Sequence, residues 1–452
     1  MSKTLDLCTL PPEIVSEIFQ AGTVMDRALL DGDNQPKKPF ELLVAQICSY
    51  TRKVALATPG LWCFVQIDRS SSVECTMAYM ERSCAASLTI RLDTLHHQSL
   101  EDENHLELLL DIIIPHSHRW RKLSVACDYE RSTHPVVSRI CGRAAPGLRY
   151  LSITVNDVDR ADPGAVESDI QSPHIFKQGT PYLRFVRLRG LAMHLFRPQL
   201  DTVVTLHLDQ TRQVPLTYAK FRDILTCSPF LTHLSLFGEM IFPLTWPHLV
   251  GDIHLPRLES LRVAGITGEV YSGILIALHA PMLESLTLKD MQEHDLEPLW
   301  RLMDLDKFAS VKSLHFCDFE VSLYAYEHIL RTFSNVTTFS TMYSSISESR
   351  LVDLLLEQSE DDDGENWWPL LKTLSFPMDL DADEVDVVEE LICVRKDGGY
   401  PVSKIVLKVE EGEVDETAIE GEIDGVEVVI ASGEDLWPSN SAESDQDDIF
   451  LS

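Results

Sequence analysis

The sequence predicts an α/β protein, in which a small N-terminal helical module is followed by a solenoid with a curved parallel sheet and outer helices. Three observations predict this fold. A short apolar phrase recurs along most of the chain, the segments between its copies suit helices of varied length, and a helical apolar stripe precedes the first copy. Hydrophobic residues make up 44 % of the 452 residues, which is enough to fill a continuous core.

The recurring phrase has the form apolar-x-x-apolar-x-apolar and usually follows a proline. Its clearest copies begin at Leu231, Leu258, Leu283, Val311 and Leu371. The middle apolar residues of the first four lie at 234, 261, 286 and 314, so they are 27, 25 and 28 residues apart. This spacing is typical of a leucine-rich repeat, in which stacked units share one core. Ordinary strands of an α/β domain are the alternative, but chance alternation does not return at such a regular interval.

The N-terminal module is predicted to span residues 6–67. Its first helix begins at the proline pair after Leu10, where Ile14 and Ile18 stand at helical spacing. The polar segment 26–39 predicts a loop, and helical spacing then resumes and runs from Phe40 to Leu56.

The rest of the chain divides by composition. Residues 68–118 predict a linker of helices and a strand that caps the solenoid, and residues 119–431 predict the solenoid itself. Residues 432–452 are rich in Ser, Asp, Glu and Asn, which is typical of a disordered acidic tail.

The net charge of −33 makes nucleic acid and anionic membranes poor partners, so we predict neither. The acidity is concentrated towards the C-terminus. From Glu410 to Ser452 there are 15 acidic and no basic residues, and from Asp353 to Glu390 there are 14 acidic residues against Lys372. These two stretches carry −15 and −13, which leaves only −5 for the rest of the chain.

The cysteines and the hydropathy pattern indicate the compartment. The ten cysteines form no CxxC pair, the N-terminus lacks the apolar core of a signal peptide, and no stretch approaches the roughly 20 apolar residues of a spanning helix. We therefore expect an intracellular protein in the cytoplasm or the nucleus.

No sequence motif indicates catalysis. The chain contains no P-loop, GxGxxG, GxSxG or HExxH. Asp379, Asp381, Asp383 and Glu390 match several positions of a calcium loop, but the required glycine is Glu384. We predict no catalytic residue, no metal and no cofactor.

Two segments together resemble the F-box-like N-terminus of a large family of fungal proteins. They are residues 10–19, LPPEIVSEIF, and residues 44–67, VAQICSYTRKVALATPGLWCFVQI. The family pattern combines a Leu-Pro-x-Glu helix start, a Val/Ile-Cys-x-x-Trp-Arg-x-Ile/Val-Ala helix and Thr-Pro-x-Leu-Trp. Thr51 stands where the family usually has Trp, which is a departure from this pattern. Further along, residues 115–120, PHSHRW, are similar to a phrase that opens the repeats in the same family.

This resemblance implies the substrate-recognition subunit of an SCF-type cullin ubiquitin ligase, in which the F-box binds a Skp-type adaptor and the repeats bind a protein substrate. The residues that it implies for adaptor binding are Leu10, Pro11, Ile14, Ile18, Phe19, Ile47, Val54, Leu61 and Trp62. Some of these must form the core of the module instead, and the sequence alone does not divide them. Thr51 modestly favours an alternative, a non-ligase repeat scaffold with a degenerate F-box.

The strand residues between the apolar anchors predict the substrate-binding face. They point away from the core and are neutral to basic in a strongly acidic protein. The cationic members are Arg187, Arg189, Arg262 and Lys289. They predict a concave site for an acidic or phosphorylated protein segment. The alternative is that strand residues facing water are simply polar.

Overall fold

The computed structural model describes most of the chain, namely residues 7–28, 38–94, 100–128, 130–155, 175–190, 197–209, 217–238, 241, 251–265, 269–301, 305–320, 323–342, 354–356, 367–377, 382–409, 421–423 and 425–432. The described residues form two compact units, which divide between Thr202 and Val203. The acidic tail predicted at 432–452 lies outside the described residues, Ser432 apart. None of the described helices offers the apolar length that a membrane crossing requires.

The first unit begins with helices and continues with alternating strands and helices. Its α-helices are α1 Pro12–Ala28, α2 Phe40–Ile47, α3 Ser49–Leu56, α4 Val73–Arg82, α5 Leu100–Ile113 and α6 Glu130–Cys141. Short 3-10 helices cover Leu7–Thr9, Pro59–Trp62 and Ile114–Arg119. Its strands are β1 Phe64–Ile67, β2 Leu88–Thr94, β3 Trp120–Cys127, β4 Tyr150–Val155 and β5 Phe185–Arg189.

The helix expected from Phe40 to Leu56 is broken in two at Cys48. Cys48 is extended, with φ −156° and ψ 176°, and it caps the N-terminus of α3. Its backbone N–H donates to the hydroxyl of Thr51, and the N–H of Thr51 donates to the Cys48 thiol. This reciprocal capping stabilises a new helix start. The apolar spacing continues across the break, so hydropathy alone does not reveal it.

The strands of the first unit form a parallel sheet in chain order. The middle apolar residues align across it: Val65 with Ile90, Ile90 with Leu123, Leu123 with Leu151, and Leu151 with Val186. All five are buried. The sheet of the first unit therefore starts at Phe64.

The second unit repeats a strand-and-connection pattern. Its strands are β6 Thr205–Asp209, β7 His233–Phe237, β8 Ile253–His254, β9 Ser260–Ala264, β10 Leu278–His279, β11 Ser285–Gln292, β12 Ser313–Glu320, β13 Thr338–Met342, β14 Thr373–Pro377, β15 Lys404–Val409, β16 Gly421–Ile423 and β17 Val426–Ser432. Its α-helices are α7 Tyr218–Thr226, α8 Glu269–Ala277, α9 Glu293–Arg301, α10 Leu323–Thr332 and α11 Ala382–Asp397. A 3-10 helix covers Leu305–Phe308.

The long sheet of the second unit follows the order β6-β7-β9-β11-β12-β13-β14-β15-β17, and these strands are parallel. At its end, β16 pairs antiparallel with β17, and β8 pairs with β10 in a small separate sheet. The predicted α/β fold with a long parallel sheet is thus confirmed. The assignment to leucine-rich repeats stays a prediction.

The middle apolar residues of the recurring phrase stand directly opposite each other. The aligned set runs through Leu206, Leu234, Leu261, Leu286, Leu314, Phe339, Leu374 and Ile405. Every member is buried, as are the first apolar residues of the phrase, such as Leu231 and Leu258. The sequence phrase therefore corresponds to one structural register.

A tight turn leads into many of these strands. Leu258 N–H donates to the carbonyl of Leu255, and Leu283 N–H donates to that of Ala280. Proline follows the acceptor in both, at 256 and 281, where its fixed φ favours the second position of such a turn. This explains why a proline usually precedes the phrase.

In seven copies of the recurring phrase in the second unit, one carbonyl joins that copy to the next strand of the sheet. The carbonyl of Glu259 accepts from two successive N–H groups, those of Glu284 and Ser285, both at 2.9 Å. The carbonyl of Glu284 accepts in the same way from Lys312 and Ser313. Two successive N–H groups donate in the same way to each of the carbonyls of Val204, Thr232, Lys312, Thr337 and Lys372. These forked bonds, as we call them, recur at the second position of the phrase.

Candidate functional site

Burial divides the nine residues predicted to bind an adaptor. Phe19, Val54, Leu61 and Trp62 lie in the core of the N-terminal helices. The other five, Leu10, Pro11, Ile14, Ile18 and Ile47, are half-buried or exposed.

Trp62 shows why the core group is needed for folding. Its indole Nε1–H donates to the carbonyl of Ala55 at 2.9 Å, at the end of α3. Tyr79 meets the indole edge-on at 5.2 Å between ring centroids, and the Arg82 guanidinium lies 4.4 Å from the ring centre. Because Trp62 is wholly enclosed, it contacts its own chain and offers no surface to a partner.

Three of the five half-buried or exposed residues lie on two helices. Ile14 and Ile18 are 49 % and 43 % exposed, and their spacing of four residues places them on one face of α1. On α2, Leu43 and Ile47 are 46 % and 66 % exposed at the same spacing.

Sequence reasoning missed Leu43. The signal was present, because Leu43 precedes Ile47 by one helical turn, just as Ile14 precedes Ile18. In each helix the next residue along the chain faces inward: Val15 beside Ile14, and Val44 beside Leu43. The apolar stripe is therefore wider than the core requires, and its outer edge meets solvent.

Thr51, which departs from the family pattern, has a structural role. It is buried and forms the reciprocal cap with Cys48 described above. Nearby, the Tyr50 hydroxyl donates to the Leu10 carbonyl and joins the chain entering α1 to α3. With Thr51 in place of Trp, α3 therefore keeps both its N-terminal cap and its link to the start of α1.

Two of the four cationic residues of the predicted substrate face are buried. Arg187 and Arg189, in the first unit, are only 4 % and 9 % exposed. Ser152 stands opposite Arg187, and Thr154 opposite Arg189, on the neighbouring strand. Strands in a sheet lie about 4.8 Å apart, so side chains of one row cover each other.

The second unit shows the same burial in a row of polar side chains. The row consists of His207, Ser235, Arg262, Thr287, His315, Ser340 and Ser375, in register across the strands. Ser235, Thr287 and Ser375 are buried, whereas Arg262 is half-buried. Lys289, on β11, is also half-buried. Arg262 and Lys289 are therefore the more accessible cationic members of the predicted face.

No group of three or more metal-ligating side chains occurs within the described ranges. His116 and His118 lie 6.3 Å apart between ring centroids, and burial lowers the pKa of His116. Asp379 and Asp381 of the calcium-like stretch lie outside the described residues.

Comparison of the chain with models of protein families finds no match, and comparison with curated proteins finds none either.

Proposed function

We propose that this chain is a substrate-recognition subunit of an SCF-type cullin ubiquitin ligase, in which the N-terminal helices act as an F-box and bind a Skp-type adaptor. One observation carries the proposal. The N-terminal helices keep Ile14, Ile18, Leu43 and Ile47 outside a core that is already closed around Trp62. Exposed apolar side chains at helical spacing are a recurrent means of binding a partner helix.

Burial of these side chains supplies a useful binding energy. Complete burial of a Leu or Ile side chain is worth about 1.5–3 kcal/mol. Since the four are roughly half exposed, covering them contributes about 3–6 kcal/mol in total. Adaptor binding would need this contribution together with polar contacts at the rim.

The repeats supply the second half of the proposed function. We infer that they form a leucine-rich-repeat solenoid that holds an intracellular protein substrate near the charged ubiquitin-conjugating enzyme. Arg262 and Lys289 would contact an acidic or phosphorylated segment of that substrate. The chain acts by raising the effective concentration of the substrate, and it performs no bond chemistry itself.

A binding measurement between the purified full chain and a Skp-type adaptor tests the proposal. We expect binding at micromolar concentration or tighter. The double variant Ile14→Asp with Ile47→Asp should reduce the affinity at least a hundredfold, because two carboxylates would be buried in an apolar contact.

Met77→Asp is the matched control, since Met77 is 55 % exposed but lies on α4. It should bind the adaptor like the wild type, and circular dichroism should show both variants folded. If the wild-type chain does not bind the adaptor, the ligase proposal fails and the chain is better described as a repeat scaffold with a degenerate F-box.

A further inference from the structure

Two thiols distant in sequence lie together beside the N-terminal helices. The Sγ atoms of Cys8 and Cys48 are 3.7 Å apart. Cys8 belongs to the 3-10 helix Leu7–Thr9, and the Tyr50 hydroxyl holds the following residue, Leu10, by its carbonyl. Cys8 is exposed and Cys48 is half-buried, so reagents in solution can reach the pair.

The surroundings of Cys48 favour the thiolate. The hydroxyl of Thr51 lies 3.5 Å from the Cys48 Sγ, and the backbone N–H of Thr51 donates to the same sulfur at 3.4 Å. These bonds, the side-chain one first, lower the pKa of Cys48 from 9.0 to about 7. Cys8 also lies within reach to donate its S–H to the thiolate.

Three other thiols differ from Cys48 in acidity or in access. Partial desolvation raises the pKa of Cys75, although this residue is exposed. Complete burial raises the pKa of Cys127 to about 12. Cys317 is buried. Among these, Cys75 is accessible but has a raised pKa, so it serves as the internal comparison for Cys48.

We propose that Cys8 and Cys48 form a redox modification site, at which peroxide converts the two thiols into an intramolecular disulfide. The proposal stands on the contact between the two sulfurs, and it does not depend on ligase function. Disulfide formation requires the sulfurs to approach from 3.7 Å to about 2.05 Å. The short segment that carries Cys8 can supply this movement, because it precedes α1.

The chemistry is balanced by a hydroperoxide as the two-electron oxidant. The Cys48 thiolate attacks one peroxide oxygen, the O–O bond breaks, and Cys48 becomes a sulfenic acid while the other oxygen leaves as hydroxide or alkoxide. The Cys8 sulfur then attacks the Cys48 sulfur. The S–S bond forms, the S–O bond breaks, and the hydroxyl leaves as water with the proton of Cys8.

The pKa predicts the size of the kinetic advantage. At pH 7 a thiol of pKa 7 is about half ionised, against about 1 % for a thiol of pKa 9, which is a gain of about 50-fold in thiolate. Intrinsic nucleophilicity falls by about tenfold over the same two units. Cys48 should therefore react about fivefold faster than an ordinary exposed thiol.

The test uses the reduced full chain treated with stoichiometric hydrogen peroxide at pH 7. Non-reducing digestion and mass spectrometry should find a peptide that links Cys8 to Cys48, and no disulfide-linked dimer should appear on a non-reducing gel. Cys48→Ser should abolish the link without loss of folding, since serine is also a good N-cap. Cys8→Ser should instead leave a Cys48 sulfenic acid that a 1,3-diketone captures.

Cys75→Ser is the control and should give the wild-type linked peptide. Alkylation by iodoacetamide at pH 7 should modify Cys48 at least fivefold faster than Cys75, because the pKa of Cys75 is raised above that of an ordinary thiol. The proposal is overturned if Cys8 and Cys48 do not link, if the link joins two chains, or if Cys48 and Cys75 alkylate at the same rate.

Discussion

Gly190 gives the sharpest test of how the first unit packs. It follows β5 with φ +66°, and a Cβ placed on it would lie 2.8 Å from the carbonyl oxygen and 2.9 Å from the Cβ of Val155 on β4. Both atoms belong to Val155, on the strand that pairs with β5. We predict that Gly190→Ala destabilises the first unit strongly.

The magnitude follows from two contributions. A left-handed conformation costs an L-residue roughly 1–2 kcal/mol. Relief of the overlap with Val155 requires movement of a paired strand, and overpacking of this kind costs about 1–3 kcal/mol. The sum is about 2–5 kcal/mol, which corresponds to a fall of about 4–20 °C in the melting temperature of a unit of this size.

Calorimetry of the full chain, with amide exchange in Tyr150–Val155 to identify the first unit, measures the effect. Gly142→Ala is the control, because nothing lies within 4 Å of a Cβ there. It should be neutral or stabilise by up to about 1 kcal/mol, since alanine restricts the unfolded chain. Equal stability of the two variants would refute the packing argument.

Three further predictions concern other sites. Leu286→Ala should lower the free energy of unfolding, measured in urea, by about 2–5 kcal/mol and Thr287→Ala by about 1 kcal/mol. Both side chains are buried, but only Leu286 fills the apolar core. Equal losses of stability would contradict the assignment of Leu286 to the core and Thr287 to the opposite face. Cys127, with a pKa of about 12, should resist iodoacetamide at pH 8 until the chain is denatured. The Tyr218 hydroxyl, 2.9 Å from Asp252, lowers the pKa of that carboxyl below 3.8. The extra stability over Asp252→Asn should therefore be present at neutral pH and disappear as the pH falls through the lowered pKa.

The recurring phrase predicted the strands well because one physical demand fixes it. Leu234, Leu261 and Leu286 must all reach the same core, so their spacing carries the register. The opposite side of the strands was harder to predict. Alternation shows that Thr287 faces away from Leu286, but it does not show that flanking Arg262 and His315 enclose it.

The N-terminal helices show a second limit of sequence reasoning. Ile14 and Val15 are both apolar and adjacent, yet one is half exposed and the other fully buried. Only the packing of α1 against its neighbours decides between them. The break at Cys48 was missed for a related reason, because its capping depends on hydrogen bonds with Thr51 that leave no mark on the hydropathy pattern.

The forked bonds have a consequence for how such a chain can change in evolution. Each carbonyl, such as that of Glu259, positions the next strand within one residue of its start, whatever the length of the intervening segment. Segments between strands can therefore lengthen or shorten while the alignment of the strands persists. Whole copies of the strand and its connection could also be duplicated or removed, because the copy at each new junction would present the same carbonyl to the strand that follows it.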